Sequence, residues 1–211
     1  ELTTIALKRG ASVTRGACFE GGSAPSYWPW TQAMRSVLVD PPKSILNALR
    51  PRAAVIAEIV PEVKDVLPDI QQAPEVDPEQ ARFRLFDSVT TFLFEVAAIS
   101  PQVLILDDLH WADRASLDLL EFVTRDISTQ SILIVGGYRD MELTRRHPLT
   151  ETLATVSRNR GFSRIQLRGL DGDDVADLIH AVGDISPPRK LIDEIFARTE
   201  GNPFFITEVT R

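Results

Sequence analysis

Two adjacent carboxylates, Asp107 and Asp108, directly follow the apolar run Val103-Leu104-Ile105-Leu106. An unbroken apolar run of this length is the pattern of a strand buried on both faces. In an open α/β sheet, ligands bind at the carboxyl ends of such strands. Neighbouring carboxylates are costly there unless a positive group compensates them, and a hydrated Mg²⁺, which seeks oxygen ligands, is a candidate. In a nucleotide site the first acid would hold Mg²⁺, directly or through water, and the second would orient or deprotonate the attacking water. The competing reading is that the two acids merely end a strand and cap a turn. A cation, Arg139, follows the next apolar run, Ile132 to Val135. A guanidinium at the end of a neighbouring strand could pair with a phosphate. It could equally pair with Asp140 or Asp107 and serve no ligand.

The elements that would position these groups can be read from spacing. Leu2, Ile5 and Ala6 suit the tail of an amphipathic helix ending near Gly10, and Ala11 to Cys18 reads as a short strand. Pro25 to Trp30 is an aromatic and proline cluster, followed by a helical pattern through Met34, Val37 and Leu38. Prolines punctuate residues 41 to 78, with short helical pieces at Ile45 to Leu49 and Ala53 to Ile59, and a loop at Gln71 to Asp77. A long helix follows. Asp77 caps it, Pro78 opens it, Gln80 completes a capping box, and Phe83, Phe86, Val89, Leu93 and Val96 form its apolar stripe up to Ser100-Pro101.

After the acid pair, Asp113 caps a helix with Leu117, Leu120, Val123 and Ile127 on one side. Ile132 to Val135 reads as a second strand buried on both faces, parallel to the first, and a shorter strand is expected at Ser163 to Leu167. Beyond Leu170 only helices are predicted: one capped by Asp171, one opened by Ser186-Pro187 and ended by Gly201, and one begun by Asn202-Pro203. Strands alternating with helices and then a helical tail predict a parallel α/β sheet followed by a small all-helical lid. The expected boundaries are 1–169 and 170–211.

Composition excludes several classes. A formal net charge of −7 argues against nucleic-acid binding by these residues themselves. DNA contact is expected only through a domain outside them. A single cysteine, Cys18, provides neither a disulfide framework nor a thiolate metal cage. No apolar run is long enough to span a bilayer, so no membrane partner is expected, and a reducing, cytoplasmic setting is. His110, His147 and His180 lack metal-ligand spacing, and there is no Gly-x-Ser-x-Gly elbow. Tyr27, Trp28 and Trp30 lack the basic residues of a single-strand-binding groove and are expected to pack in the core.

The stretch Leu104 to Asp113, reading Leu-Ile-Leu-Asp-Asp-Leu-His-Trp-Ala-Asp, resembles the Walker B segment of the STAND class of P-loop ATPases. In particular it is similar to the AAA-type, origin-recognition-complex-like ATPase module of large LuxR-family transcriptional regulators and of cyclase- or kinase-linked bacterial signalling proteins. Ser26-Tyr27-Trp28-Pro29-Trp30 resembles the aromatic segment of that module, Gly137-Tyr138-Arg139-Asp140 its sensor segment, and Thr199 to Phe205 its lid motif. These segments occur in the family's order across nearly the whole chain. The resemblance implies ATP and Mg²⁺ as cofactors, Asp107 as the Mg²⁺ acid, Asp108 as the water-polarising acid and Arg139 as the sensor of the γ-phosphate. It also implies that Gly201 and Pro203 close the lid over the base, a role compatible with ordinary helix punctuation. His110 and Trp111 are assigned to packing and loop shape.

A P-loop needs Gly-x-x-x-x-Gly-Lys followed by Ser or Thr. Gly16 to Ser23 is a near miss with Gly22 where the lysine belongs, and Pro25 and Pro29 follow where a helix should start. None of Lys8, Lys43, Lys64 and Lys190 has the required glycines before it. The expectation is therefore a fragment whose phosphate loop lies a few residues upstream of Glu1. Its function would be an ATP-binding switch that governs other domains of a longer parent and assembles with copies of itself. Two other functions stay open: a parent that turns over ATP at a useful rate, and a degenerate scaffold that ignores nucleotide. A receiver-like phosphoacceptor domain would need an acid pair near the start and a later lysine after a strand, and neither is present.

Overall fold

The computed structural model describes residues 1–21, 24–183 and 185–210. The chain divides into two compact units, Glu1–Phe162 and Ser163–Arg211.

The first unit is built on three parallel strands, β1 (Ser12–Ala17), β2 (Gln102–Asp107) and β3 (Ile132–Gly136), in the order β1-β2-β3. Val103 lies opposite Val13 and Leu133, and Leu106 opposite Gly16 and Gly136. Parallel neighbours need crossover connections, and helices supply them. In chain order the helices are α1 (Leu2–Lys8), α2 (Trp28–Val37), α3 (Lys43–Leu49), α4 (Ala53–Ile56), α5 (Val63–Val66), α6 (Pro78–Ile99), α7 (Arg114–Thr124) and α8 (Pro148–Val156), with α2 to α6 between β1 and β2 and α7 between β2 and β3. Side chains alternate across β2. Leu104 and Leu106 enter the main core with Trp30, Met34, Phe92 and Leu117. Val103 and Ile105 face the other way, onto Ala6 of α1, with Val13 and Val135 beside them. This is the α/β parallel-sheet core that the sequence predicts.

The helix boundaries follow the local chemistry. The Asp77 carboxylate accepts from the amides of Glu79 and Gln80, Pro78 opens α6, and the helix stops at Ser100-Pro101. Asp113 caps α7 through the Ser116 amide. Trp30 is buried, with its indole N–H donating to the Ser116 carbonyl at 3.1 Å, and the half-buried Tyr27 packs against the same core, as expected, whereas Trp28 is half-buried beneath the Arg35 guanidinium, 5.1 Å from its ring centroid. Phe83 departs from its predicted stripe. It lies near the amino end of α6, 63 % exposed, and meets Phe122 edge-on with ring centroids 5.8 Å apart.

Two strand expectations are corrected. Ile132 to Val135 pairs parallel with β2 as predicted, but it forms the edge of the sheet instead of an interior strand. Ile132 and Ile134 lean on the main core and Val135 on the α1 side, whereas Leu133 is 50 % exposed. Apolar residues on both faces predict burial, yet among the described residues no further strand pairs with β3. Residues 163–167 carry no strand, and Ile165 and Leu167 are 81 % and 89 % exposed. An alternating pattern becomes a strand only where a partner satisfies its backbone, and no described strand pairs with this segment.

The second unit contains α9 (Gly172–Gly183), α10 (Arg189–Thr199) and α11 (Pro203–Thr210) around Val175, Ile179, Ile192, Ile195 and Ile206. Asp171 caps α9 through the amides of Asp173 and Asp174. Among the described residues, no helix of either unit is long and apolar enough to cross a membrane.

Candidate functional site

Asp107 closes β2 while still inside the ladder. Its carbonyl accepts from the Cys18 amide at 3.0 Å, and its side chain is half-buried. The chain then leaves the sheet abruptly. Asp108 takes a left-handed backbone (φ 57°), which Asp and Asn tolerate better than longer residues, and a single 3₁₀ turn, Leu109–Trp111, follows. The Asp108 carboxylate is 41 % exposed. Backbone bonds to the neighbouring strand hold this bend. The Gly137 amide donates to the Leu106 carbonyl at 2.8 Å, and the Leu109 amide donates to the Gly137 carbonyl at 2.9 Å. One residue leaving β3 thus ties down the chain on both sides of the acid pair.

Arg139 follows two residues later. Its backbone amide donates to Nδ1 of His110 at 3.4 Å. Its guanidinium bonds Glu142 at 3.1 Å and lies over the Trp111 ring, 5.6 Å from the centroid, with the side chain 64 % exposed. Glu142 is a partner that the sequence reading did not single out.

His110, assigned from sequence to packing, is indeed buried, but it also connects the two strand ends. Because an amide can only donate, Nδ1 must accept, which leaves the proton of a neutral ring on Nε2. That nitrogen faces two carboxylates, Glu142 at 3.5 Å and Asp108 at 4.0 Å, and makes no hydrogen bond. His147 caps α8 through the Leu149 amide and donates from Nε2 to the His110 carbonyl at 3.0 Å, which anchors the same turn. A histidine two residues after an acid pair was the available signal. The fold, not the sequence, supplies the carboxylate it faces on the next loop.

The strand end is electrostatically negative. The buried Cys18 thiol is pushed up to about 12, first by its burial and then by Asp113, Asp108 and Asp107. Among the described residues no three His, Cys, Asp or Glu side chains converge on a point, so there is no protein-built metal cage. A Mg²⁺ that keeps its waters and takes phosphate oxygens needs only one or two carboxylates, and the Asp107-Asp108 pair fits that requirement.

Gly201 and Pro203 belong to the second unit. Gly201 is buried with φ 75°, and its carbonyl accepts from the Leu170 amide at 2.8 Å. A Cβ there would stand 2.1 Å from the Leu170 carbonyl oxygen, so packing alone requires glycine. Pro203 is exposed at the start of α11. The near-miss loop is also explained by packing where it is described. Gly16 lies within β1, and a Cβ on it would stand 1.8 Å from the Pro29 carbonyl oxygen. Gly22 and Ser23 lie outside the described residues.

The family model of the AAA ATPase domain matches residues 1–135, and the chain belongs to that family. The first unit is therefore an AAA-type P-loop ATPase module, a class of nucleotide-binding domain that works with ATP and usually Mg²⁺. Neither the curated proteins nor the solved structures yielded a match.

Proposed function

We propose that this chain is the working core of an ATP-dependent switch in a larger signalling or transcription-regulatory protein of the STAND type. Asp107 holds the Mg²⁺ of Mg-ATP. Asp108 orients or deprotonates the attacking water, and Arg139 pairs with the γ-phosphate. When bound, Mg²⁺ supplies charge neutralisation at the phosphates, and these side chains supply its orientation and that of the water. Gly201 and Pro203 shape the helical unit whose movement reports nucleotide state to the attached domains.

The observation that carries the reading is the arrival of the acid pair and Arg139 at the carboxyl ends of adjacent parallel strands, tied together through Gly137 and His110. The left-handed backbone at Asp108 adds support, since backbone outliers cluster at functional sites. The phosphate grip would come from residues preceding Glu1, because no lysine of this sequence follows the necessary glycines. Among the described residues no strand pairs with the outer edge of β3, which would offer a strand carrying such a loop a seat beside Arg139.

Calorimetric titration with Mg-ATP tests this. The 211-residue chain is expected to bind poorly, and the chain with its native preceding residues to bind well. In the longer chain, Asp107→Asn weakens the Mg²⁺-dependent part of the affinity. Asp108→Asn spares binding and slows turnover. Tight binding by the 211 residues alone would overturn the assignment of the phosphate grip. Indifference of the longer chain to ATP would favour the nucleotide-independent scaffold.

A further inference from the structure

We propose that Gly137 is the positioning residue of the metal-holding acid: the absence of a side chain there sets where the Asp107 carboxylate lies. This rests on the reading of Asp107 as the Mg²⁺ ligand and extends it to a residue on the other strand.

The backbone of Gly137 is not left-handed, so glycine is not required by conformation. It is required by space. A Cβ on Gly137 would stand 3.0 Å from Asp107 Oδ1 and 3.9 Å from Asp107 Cα. The first distance is shorter than the roughly 3.3 Å at which carbon and oxygen ordinarily meet. A backbone shift would strain two hydrogen bonds, from the Gly137 amide to the Leu106 carbonyl and from the Leu109 amide to the Gly137 carbonyl. The carboxylate is therefore the easier group to move if a methyl is added. Gly136 is a different case. A Cβ on it would meet the tip of the buried Leu109 side chain at 2.7 Å, a core contact and not a carboxylate. Of the two glycines, only Gly137 confronts the acid. Mg²⁺ demands near-ideal octahedral placement of its ligands, so a displaced oxygen weakens it more than it weakens a tolerant ion such as Ca²⁺.

The first test uses the 211-residue chain without ligand. Gly137→Ala should lower the melting temperature by roughly 2–4 °C. Adding Asp107→Ala should restore most of that loss, because the methyl no longer meets a carboxylate. A double variant no more stable than Gly137→Ala would overturn the proposal. If Gly137→Ala does not fold, folding of the double variant supports the proposal, and failure of both overturns it.

The second test titrates Mn²⁺ alone and follows broadening of the amide resonances of residues 106–109 and 136–139. Gly137→Ala should need roughly tenfold more Mn²⁺ for equal broadening, as for loss of a partner that orients a metal ligand. Gly136→Ala should respond like the unmodified chain. Equal responses from Gly137→Ala and the unmodified chain would overturn the proposal. No broadening in the unmodified chain would instead sink the metal reading of Asp107, and the melting-temperature rescue would still decide whether Gly137 positions its carboxylate.

Discussion

The carboxyl ends of β2 and β3 lie side by side and are held by different means. At the β2 end the acid pair is fixed through the main chain, bracketed by the two hydrogen bonds of Gly137 and by the Cys18 amide on Asp107. At the β3 end the main chain of Arg139 is anchored on His110, but its guanidinium stands largely in solvent. An exposed ion pair and a cation–π contact hold it, each worth no more than about 1 kcal/mol. The two jobs proposed for them differ in the same way. A metal ligand has to be in place before the ion arrives, whereas a group that reports on a terminal phosphate has to move when the phosphate does. An acid pair on a fixed backbone beside a lightly held cation is consistent with the switch proposed above.

His110 is where this division can be broken outright. Its buried ring accepts the Arg139 amide and faces both Asp108 and Glu142. His110→Ala leaves a cavity and an orphaned amide and should cost roughly 2–4 kcal/mol in urea unfolding. Hydrogen exchange should quicken at both strand ends, residues 107–109 and 137–140. A loss confined to one end would mean that the ends are independent and that the histidine only fills space.

Asp108 sharpens the comparison with a smaller effect. Its left-handed backbone suits a short side chain that can bond locally. Asp108→Glu should lose about 1 kcal/mol of stability, whereas Asp108→Asn should stay within about 0.5 kcal/mol of the unmodified chain. Equal stability of the two variants would show that the bend does not select the residue. This gives a structural reason for Asp at the second acid, independent of how far its carboxylate reaches toward a water.

The β2 half of the site was legible in the sequence, because an unbroken apolar run, two acids and a helix cap are all local signals. Asp107, Asp108, Asp77 and Asp113 stand where their spacing puts them. What the sequence could not carry was anything that depends on a neighbour. Ile132 to Val135 has the composition of an interior strand and yet forms an edge among the described strands, and residues 163–167 alternate like a strand yet belong to none of the described strands. Nothing near Asp107 in the chain announces Gly137, since the contact crosses between strands. Glu142 became visible only once the loop after β3 folded back over His110. Gly16 was read as a strand residue and not a phosphate-loop glycine, and it is one, but the Pro29 carbonyl that requires glycine there is again a contact between elements.

The smallest expected effect on stability belongs to Glu142, and it separates a movable arginine from a fixed one. The Glu142–Arg139 pair is exposed at both ends, so its Coulomb gain is screened by solvent and offset by the ordering of two long side chains. Arg139→Ala and Glu142→Gln should each change unfolding stability by less than about 0.5 kcal/mol. Binding should respond differently. In the chain with its preceding residues, Glu142→Gln removes the carboxylate that competes with phosphate for the guanidinium, and Mg-ATP affinity should rise roughly threefold, the equivalent of a weak surface pair. That gain must vanish when Arg139→Ala is also present. If it survives, the cause is the general loss of a negative charge near an anion, not the release of Arg139. Nuclear magnetic resonance of the Arg139 Nε–H in the 211-residue chain provides a readout without nucleotide. Glu142→Gln should shift and broaden this resonance as the guanidinium leaves its partner. An unchanged arginine signal, or a stability loss above about 1 kcal/mol, would show that Glu142 holds Arg139 rigidly and that the two strand ends are not the fixed and movable pair proposed here.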